Sequence, residues 1–81
     1  MDKEEFYAAV AVALGVEDTY EVKLGYRRRW GQRTPGNGRY EGIGVVRWFG
    51  SNCIHVAFYG LTDQFDSSEA ALAAIQNWAR A

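Results

Sequence analysis

TYEVKLGYRRRW, residues Thr19–Trp30, carries the clearest structural signal in the chain. Tyr20, Val22, Leu24, Tyr26 and Trp30 fall on one side of an alternating pattern; Thr19, Glu21, Lys23, Arg27 and Arg29 fall on the other. A period of two marks a half-buried strand, so the stretch reads as one long strand in which Arg28 alone breaks the buried series. Gly31 to Gly38 (Gly-Gln-Arg-Thr-Pro-Gly-Asn-Gly) is turn chemistry throughout and reads as a mobile hairpin tip. Residues 39–49 read as the returning strand. Gly50-Ser51 reads as a tight turn, and 53–59 as a third strand with Ile54, Val56 and Phe58 inward.

The first two strands have a preferred register. It sets Tyr26 against Ile43, Leu24 against Val45 and Tyr20 against Phe49 on the core side. Arg28 then meets Glu41 near the tip, which accounts for both charges on the inner face. A slip of one residue would turn the whole buried set outward.

Helices flank the strands. Residues 2–14 have an apolar stripe of Phe6, Val10 and Ala13/Leu14, with Tyr7 and Ala11 beside it. Asp2 can cap this helix, Glu4 and Glu5 suit its first turn, and Gly15 stops it. After a loop over 60–65, Asp66-Ser-Ser-Glu69 has capping-box spacing, with Phe65 as a staple. Residues 70–79 follow as a helix burying Ala71, Leu72, Ile75 and Trp78/Ala79. The expected fold is a single α+β domain over residues 1–81. It has two layers in the order α-β-β-β-α, a three-stranded antiparallel sheet with both helices on one face.

That order resembles the layout of double-stranded-RNA-binding domains. The family's basic cluster opens its second helix, whereas here that position holds Asp66, Glu69 and alanines. The layout alone is therefore shared, and no functional residue is carried across.

Charge is strongly segregated. Residues 22–60 hold Lys23, Arg27, Arg28, Arg29, Arg33, Arg39 and Arg47 against Glu41, a net +6; residues 1–21 are −5 and residues 61–81 are −2. The total of −1 conceals this separation. A composition 48% hydrophobic and 15% aromatic argues against disorder. No apolar run approaches the ~20 residues of a membrane span. The acidic N-terminus does not read as a secretory signal, and the one cysteine, Cys53, has no intrachain partner. The expectation is a soluble, cytoplasmic protein.

The face turned away from the helices is the informative one. In the register above it shows Glu21, Lys23, Arg27 and Arg29, then Tyr40, Val46 and Trp48, then Cys53, His55 and Tyr59. Gly25, Gly42, Gly44 and Ala57 form its floor. Glycines in strands mark bulges and twist, or the close approach of a ligand; the two readings have equal claim here.

Catalytic chemistry has little to stand on. His55 alone can act as a near-neutral base. Cys53 lies two residues away on the same strand, about 7 Å by strand rise, too far for a nucleophile–base pair. Two such ligands also fall short of the four in a structural zinc site. The glycine pairs 36/38 and 42/44 lack the lysine and following helix of a phosphate loop. No catalytic residue, metal site or cofactor is expected.

The reading is a non-enzymatic interaction protein working through a basic, aromatic hairpin and an open sheet face. Its partner-binding residues are Lys23, Arg27, Arg29, Trp30, Arg33, Arg39, Tyr40, Trp48, His55 and Tyr59. Arginines supply charge-assisted contacts and tryptophans apolar anchors. The expected partner is a protein that handles nucleic acid, such as a nucleoprotein complex. Small phage-type inhibitors, anti-CRISPR proteins among them, are similar in size and in lacking a catalytic motif. The acidic segments around Asp2–Glu5 and Glu17–Glu21 would suit docking on a basic, nucleic-acid-binding surface. The alternatives are direct binding of DNA or RNA by the same hairpin, against which the pI of 5.7 weighs, and a homodimeric module.

Overall fold

The computed structural model describes residues 1–33 and 40–81. In chain order it has helix α1 (Lys3–Leu14), a 3-10 turn (Val16–Asp18), strands β1 (Thr19–Leu24), β2 (Arg27–Arg33), β3 (Tyr40–Gly50), β4 (Cys53–Phe58) and β5 (Leu61–Phe65), and helix α2 (Ser68–Arg80). The strands form one antiparallel sheet in the order β1-β2-β3-β4-β5. The α+β class holds, but the sheet has five strands where three are expected. The likeness to the three-stranded RNA-binding layout ends with that count.

Both extra strands come from two-residue turns. The long alternating stretch folds back on itself at Gly25-Tyr26, so β1 pairs with β2 from Thr19↔Gln32 to Leu24↔Arg27. Gly25 has φ 65°, the positive value that the first position of a II′ hairpin turn requires and glycine adopts without strain. The expected loop over 60–65 is instead β5, paired with β4 from Phe58↔Leu61 to Ile54↔Phe65. Leu61 and Phe65 pack against the core from that edge.

The register between the expected first and second strands is also different. Leu24 faces Arg27 across the new hairpin. Arg28 lies opposite Val46, Arg29 opposite Val45 and Trp30 opposite Gly44. Glu41 pairs with Gln32, so the expected Arg28–Glu41 contact does not form. β3 carries two additional residues relative to its neighbours: Ile43 between the pairs Gly31↔Gly42 and Trp30↔Gly44, and Phe49 between Trp48↔Ile54 and Gly50↔Cys53. Each bulge shifts the inside/outside alternation by one position. Val46 and Trp48 therefore face the helices, and Val45 and Arg47 face away.

The helices lie on one side of this sheet. Phe6, Tyr7 and Val10 of α1 and Ala71 and Ile75 of α2 form one core with Trp30, Val46, Ile54, Val56 and Phe58. The N-termini follow capping rules. Asp2 accepts from the Glu5 amide at 2.8 Å while Glu5 reaches back to the Asp2 amide, a full capping box. That amide bond holds the Asp2 carboxyl below its ordinary pKa. Gly15 terminates α1 with φ 77°. The cap of α2 is Ser67, which accepts from the Ala70 amide at 3.1 Å, one residue later than the expected Asp66.

Gly44 permits the central bulge. Its φ is 147°, and a Cβ there would lie 2.2 Å from the Ala57 carbonyl oxygen and 2.8 Å from Phe58 Cα. Both are backbone atoms that cannot swing away. Gly44→Ala is expected to cost about 2 kcal/mol, read as a lower urea midpoint at unchanged slope.

Candidate binding face

The side of the sheet without helices is built from one face of every strand. β1 presents Tyr20, Val22 and Leu24; β2 presents Arg27, Arg29 and Arg33; β3 presents Val45, Arg47 and Phe49; β4 presents Cys53, His55 and Ala57. Thr62 and Gln64 complete it on β5. Among the described residues this face holds four arginines and no carboxylate. Among the described residues none of Arg27, Arg29, Arg33 and Arg47 forms an ion pair. Arg27 and Arg47 are direct cross-strand partners. A like-charged pair at that position is destabilising, and local rules are most often broken where a site needs them broken.

Aromatic rings adjoin the arginines. Tyr26, in the β1–β2 turn, lies 5.4 Å from Phe49, and Phe49 lies 4.7 Å edge-on from His55, centroid to centroid. Tyr26 is 49% and Phe49 54% exposed, so this run is open to solvent. The Arg27 guanidinium sits 6.0 Å from the Tyr26 ring centre. On the same face a shallow groove of about 520 Å³ is lined by residues that include Tyr20, Arg29, Gly42, Val45, Arg47 and Ala57. The Tyr20 ring that lines it lies over Gly31, where a Cβ at position 31 would stand.

Arg27, Arg29 and His55 thus lie on the open face, as the alternation predicts, and Arg33, expected in the hairpin tip, joins them as the last residue of β2. Tyr40 pairs with Arg33 through the backbone. Arg39, and the greater part of the expected Gly31–Gly38 tip, lie outside the described residues. Trp30 is overturned as a surface anchor: it is 1% exposed, packs 6.3 Å from the Tyr7 ring, and belongs to the core. Trp48 also faces inward, with its ring 5.5 Å from Phe6. Lys23 lies on the helix side of β1, opposite Arg28, and lines a groove with Glu4, Ala8 and Ala11. Tyr59 occupies the β4–β5 turn, 92% exposed, where its carbonyl accepts from Trp78 Nε1 at 2.9 Å.

Arg47, Phe49, Tyr20 and Tyr26 belong to the face and escape the period-two reading. One sequence signal does exist. Trp48 and Phe49 are adjacent, so regular alternation cannot bury both, and one must face outward or bulge.

Arg28 has a different role from its arginine neighbours. It is 5% exposed, and its guanidinium stacks 4.5 Å from the Tyr7 ring centre. Nη2 donates to Glu4 Oε1 at 3.2 Å and Nη1 to the Gly25 carbonyl at 3.3 Å. Nε approaches Glu21 Oε1 at 2.7 Å as a charge contact without hydrogen-bond alignment. The network ties α1 to the β1–β2 hairpin. Beside it the Tyr7 hydroxyl donates to the Tyr26 carbonyl at 2.9 Å and the Val46 carbonyl at 3.3 Å. Burial pushes the Tyr7 pKa up to about 12, which keeps that hydroxyl a neutral donor.

Cys53 Sγ and His55 Nε2 are 3.9 Å apart, much nearer than strand rise suggests, and Gln64 Nε2 donates to the same sulfur at 3.6 Å. Among the described residues no group of three or more His, Cys, Asp or Glu is placed to hold a metal ion. No described helix is long and apolar enough to cross a membrane. No family model, curated protein or solved structure matches this chain.

Proposed function

We propose that the chain is a non-enzymatic binding module that lays single-stranded nucleic acid across its uncovered sheet face. The observation that carries this reading is the set Arg27, Arg29, Arg33 and Arg47 on a described face without a carboxylate, beside the exposed rings of Tyr26 and Phe49. Guanidinium groups bind phosphates through charge-assisted, often bidentate hydrogen bonds. Exposed aromatic rings stack on bases, which a single strand offers and a paired duplex conceals. The acidic total does not oppose this. The carboxylates of Glu4, Glu5, Glu17 and Asp18 lie on α1 and the 3-10 turn, off the sheet face, and a local field on one face suffices to collect a polyanion.

Docking on a protein that handles nucleic acid is the second reading. The exposed acidic residues at the start of α1 and in the 3-10 turn favour it. Its two tryptophan anchors, however, point into the core.

Fluorescence anisotropy with labelled oligo(dT), oligo(U) and a duplex tests the proposal. Single strands are expected to bind more tightly than the duplex at low salt, with affinity falling as salt rises. Arg27→Ala/Arg29→Ala/Arg47→Ala is expected to reduce the salt slope by about 2, at roughly 0.7 per phosphate contact on a single strand. The variant also relieves the Arg27/Arg47 repulsion, so it should unfold no earlier than the parent. Absence of binding to any of the three nucleic acids at low salt refutes the proposal.

A further inference from the structure

We infer that β1 is a self-complementary edge through which two copies of the chain pair antiparallel, joining their sheets into one. β1 and β5 are the two edge strands of the sheet. Such edges present unpaired backbone donors and acceptors to any strand that fits. What distinguishes β1 is its sequence, Thr-Tyr-Glu-Val-Lys-Leu. Place a two-fold axis at Val22, perpendicular to the sheet, and Val22 meets Val22 of the second copy. Glu21 then stands opposite Lys23, and Lys23 opposite Glu21. Tyr20 stands opposite Leu24 on the other face. Both charged pairs and both apolar pairs are of the kind that stabilises adjacent strands.

The surroundings fit the same arrangement. Val22 is 38% exposed, a large apolar side chain on an edge strand. The helix side of β1 is flanked by the alanines Ala8 and Ala11, which line a groove with Glu21 and Lys23. These short side chains leave Lys23 of an incoming strand room beside Glu21. Glu21 touches Arg28 through Oε1, so its second oxygen can serve that lysine. β5 makes an instructive contrast. An axis at the centre of Leu61–Phe65 sets Asp63 against Asp63, and like charges opposed in this way repel. Only one of the two edges is suited to its own copy.

The symmetry has a consequence for the open face. Antiparallel pairing about that axis keeps both sets of helices on one side and both arginine faces on the other. The dimer thus presents one continuous surface. The contact is smaller than a standard interface, which makes the dimer concentration-dependent.

The test is site-specific cross-linking without nucleic acid, and is thus independent of the proposed ligand. In a Cys53→Ser background, Val22→Cys places two thiols in directly opposed positions, within the Cα separation a disulfide allows. Leu24→Cys places its two thiols four residues out of register, about 13 Å apart along the strands. Under mild oxidation Val22→Cys is expected to form a covalent dimer at least tenfold faster than Leu24→Cys. Light scattering on the unmodified chain should show a mass rising with concentration. Lys23→Glu, which opposes Glu21 with a like charge, should shift that rise to at least tenfold higher concentration. A monomer mass at every concentration overturns the inference. Equal cross-linking at positions 22 and 24 overturns it as well.

Discussion

Trp30→Ala is expected to lower the unfolding free energy by about 3–5 kcal/mol, the usual cost of emptying a buried aromatic site. In a domain of this size that corresponds to a fall in Tm of more than about 12 °C. Trp30 is one of the largest fully buried side chains among the described residues. It lies beside Tyr7, and the bulge glycine Gly44 faces it across the strands. The cavity left behind would be bounded by α1 and by paired strands, none of which can collapse without losing contacts elsewhere. Differential scanning calorimetry checks this. A stability change below about 1 kcal/mol, the range of ordinary surface substitutions, would return Trp30 to the surface and reverse the assignment of faces.

A second large effect is expected at the buried arginine. Glu21→Ala leaves the Arg28 guanidinium, whose side chain is 6% exposed, with Glu4 at 3.2 Å and the Gly25 carbonyl. Glu4 is 69% exposed and correspondingly screened. Removing one partner of a buried charge is costly because the other stays desolvated, and about 3 kcal/mol is expected. Arg28→Met should cost less. The methionine keeps an apolar contact with the Tyr7 ring, and the carboxylates it strands, 28% and 69% exposed, remain accessible to water. Urea denaturation of the two variants gives the comparison. An Arg28→Met cost above that of Glu21→Ala would mean that the ion contacts themselves stabilise the hairpin.

Much of the architecture is legible in the chain because it is local. The Asp2 cap, the Gly15 stop, the stripe of Phe6, Tyr7 and Val10, and the inward set Ile54, Val56 and Phe58 all follow from spacing alone. The extra strands are hidden because a two-residue turn occupies little sequence. Across Gly25-Tyr26 even-numbered residues pair with odd-numbered ones. An unbroken alternation over Thr19–Trp30 therefore conceals a reversal of faces, with Tyr20, Val22 and Leu24 on the open side and Arg28 and Trp30 on the covered one. The bulges at Ile43 and Phe49 are concealed for a related reason. One inserted residue shifts the inside/outside phase, and it leaves no mark in composition.

The existence of a basic, helix-free sheet face is legible in the chain, and the residues on it only in part. The places of Arg27, Arg29 and His55 on this face follow from period-two alternation, whereas Arg33 reads as part of the glycine-rich tip and not of a strand. Arg47 escapes the alternation because its phase depends on the bulge at Ile43. Trp30 and Trp48 suit an interface by residue type, yet in a chain this small large rings are also the main source of core volume.

Arginine side-chain NMR tests the central claim most directly. The Nε–Hε signals of a 15N-labelled sample can be followed while a short oligo(dT) is added at low salt. Arg27, Arg29, Arg33 and Arg47 are expected to shift together. Arg28, buried between Glu4 and Glu21, and Arg80, whose Nε donates to the Gln76 carbonyl on α2, should stay in place. Shifts confined to Arg80, or no shift at any arginine, would contradict the account.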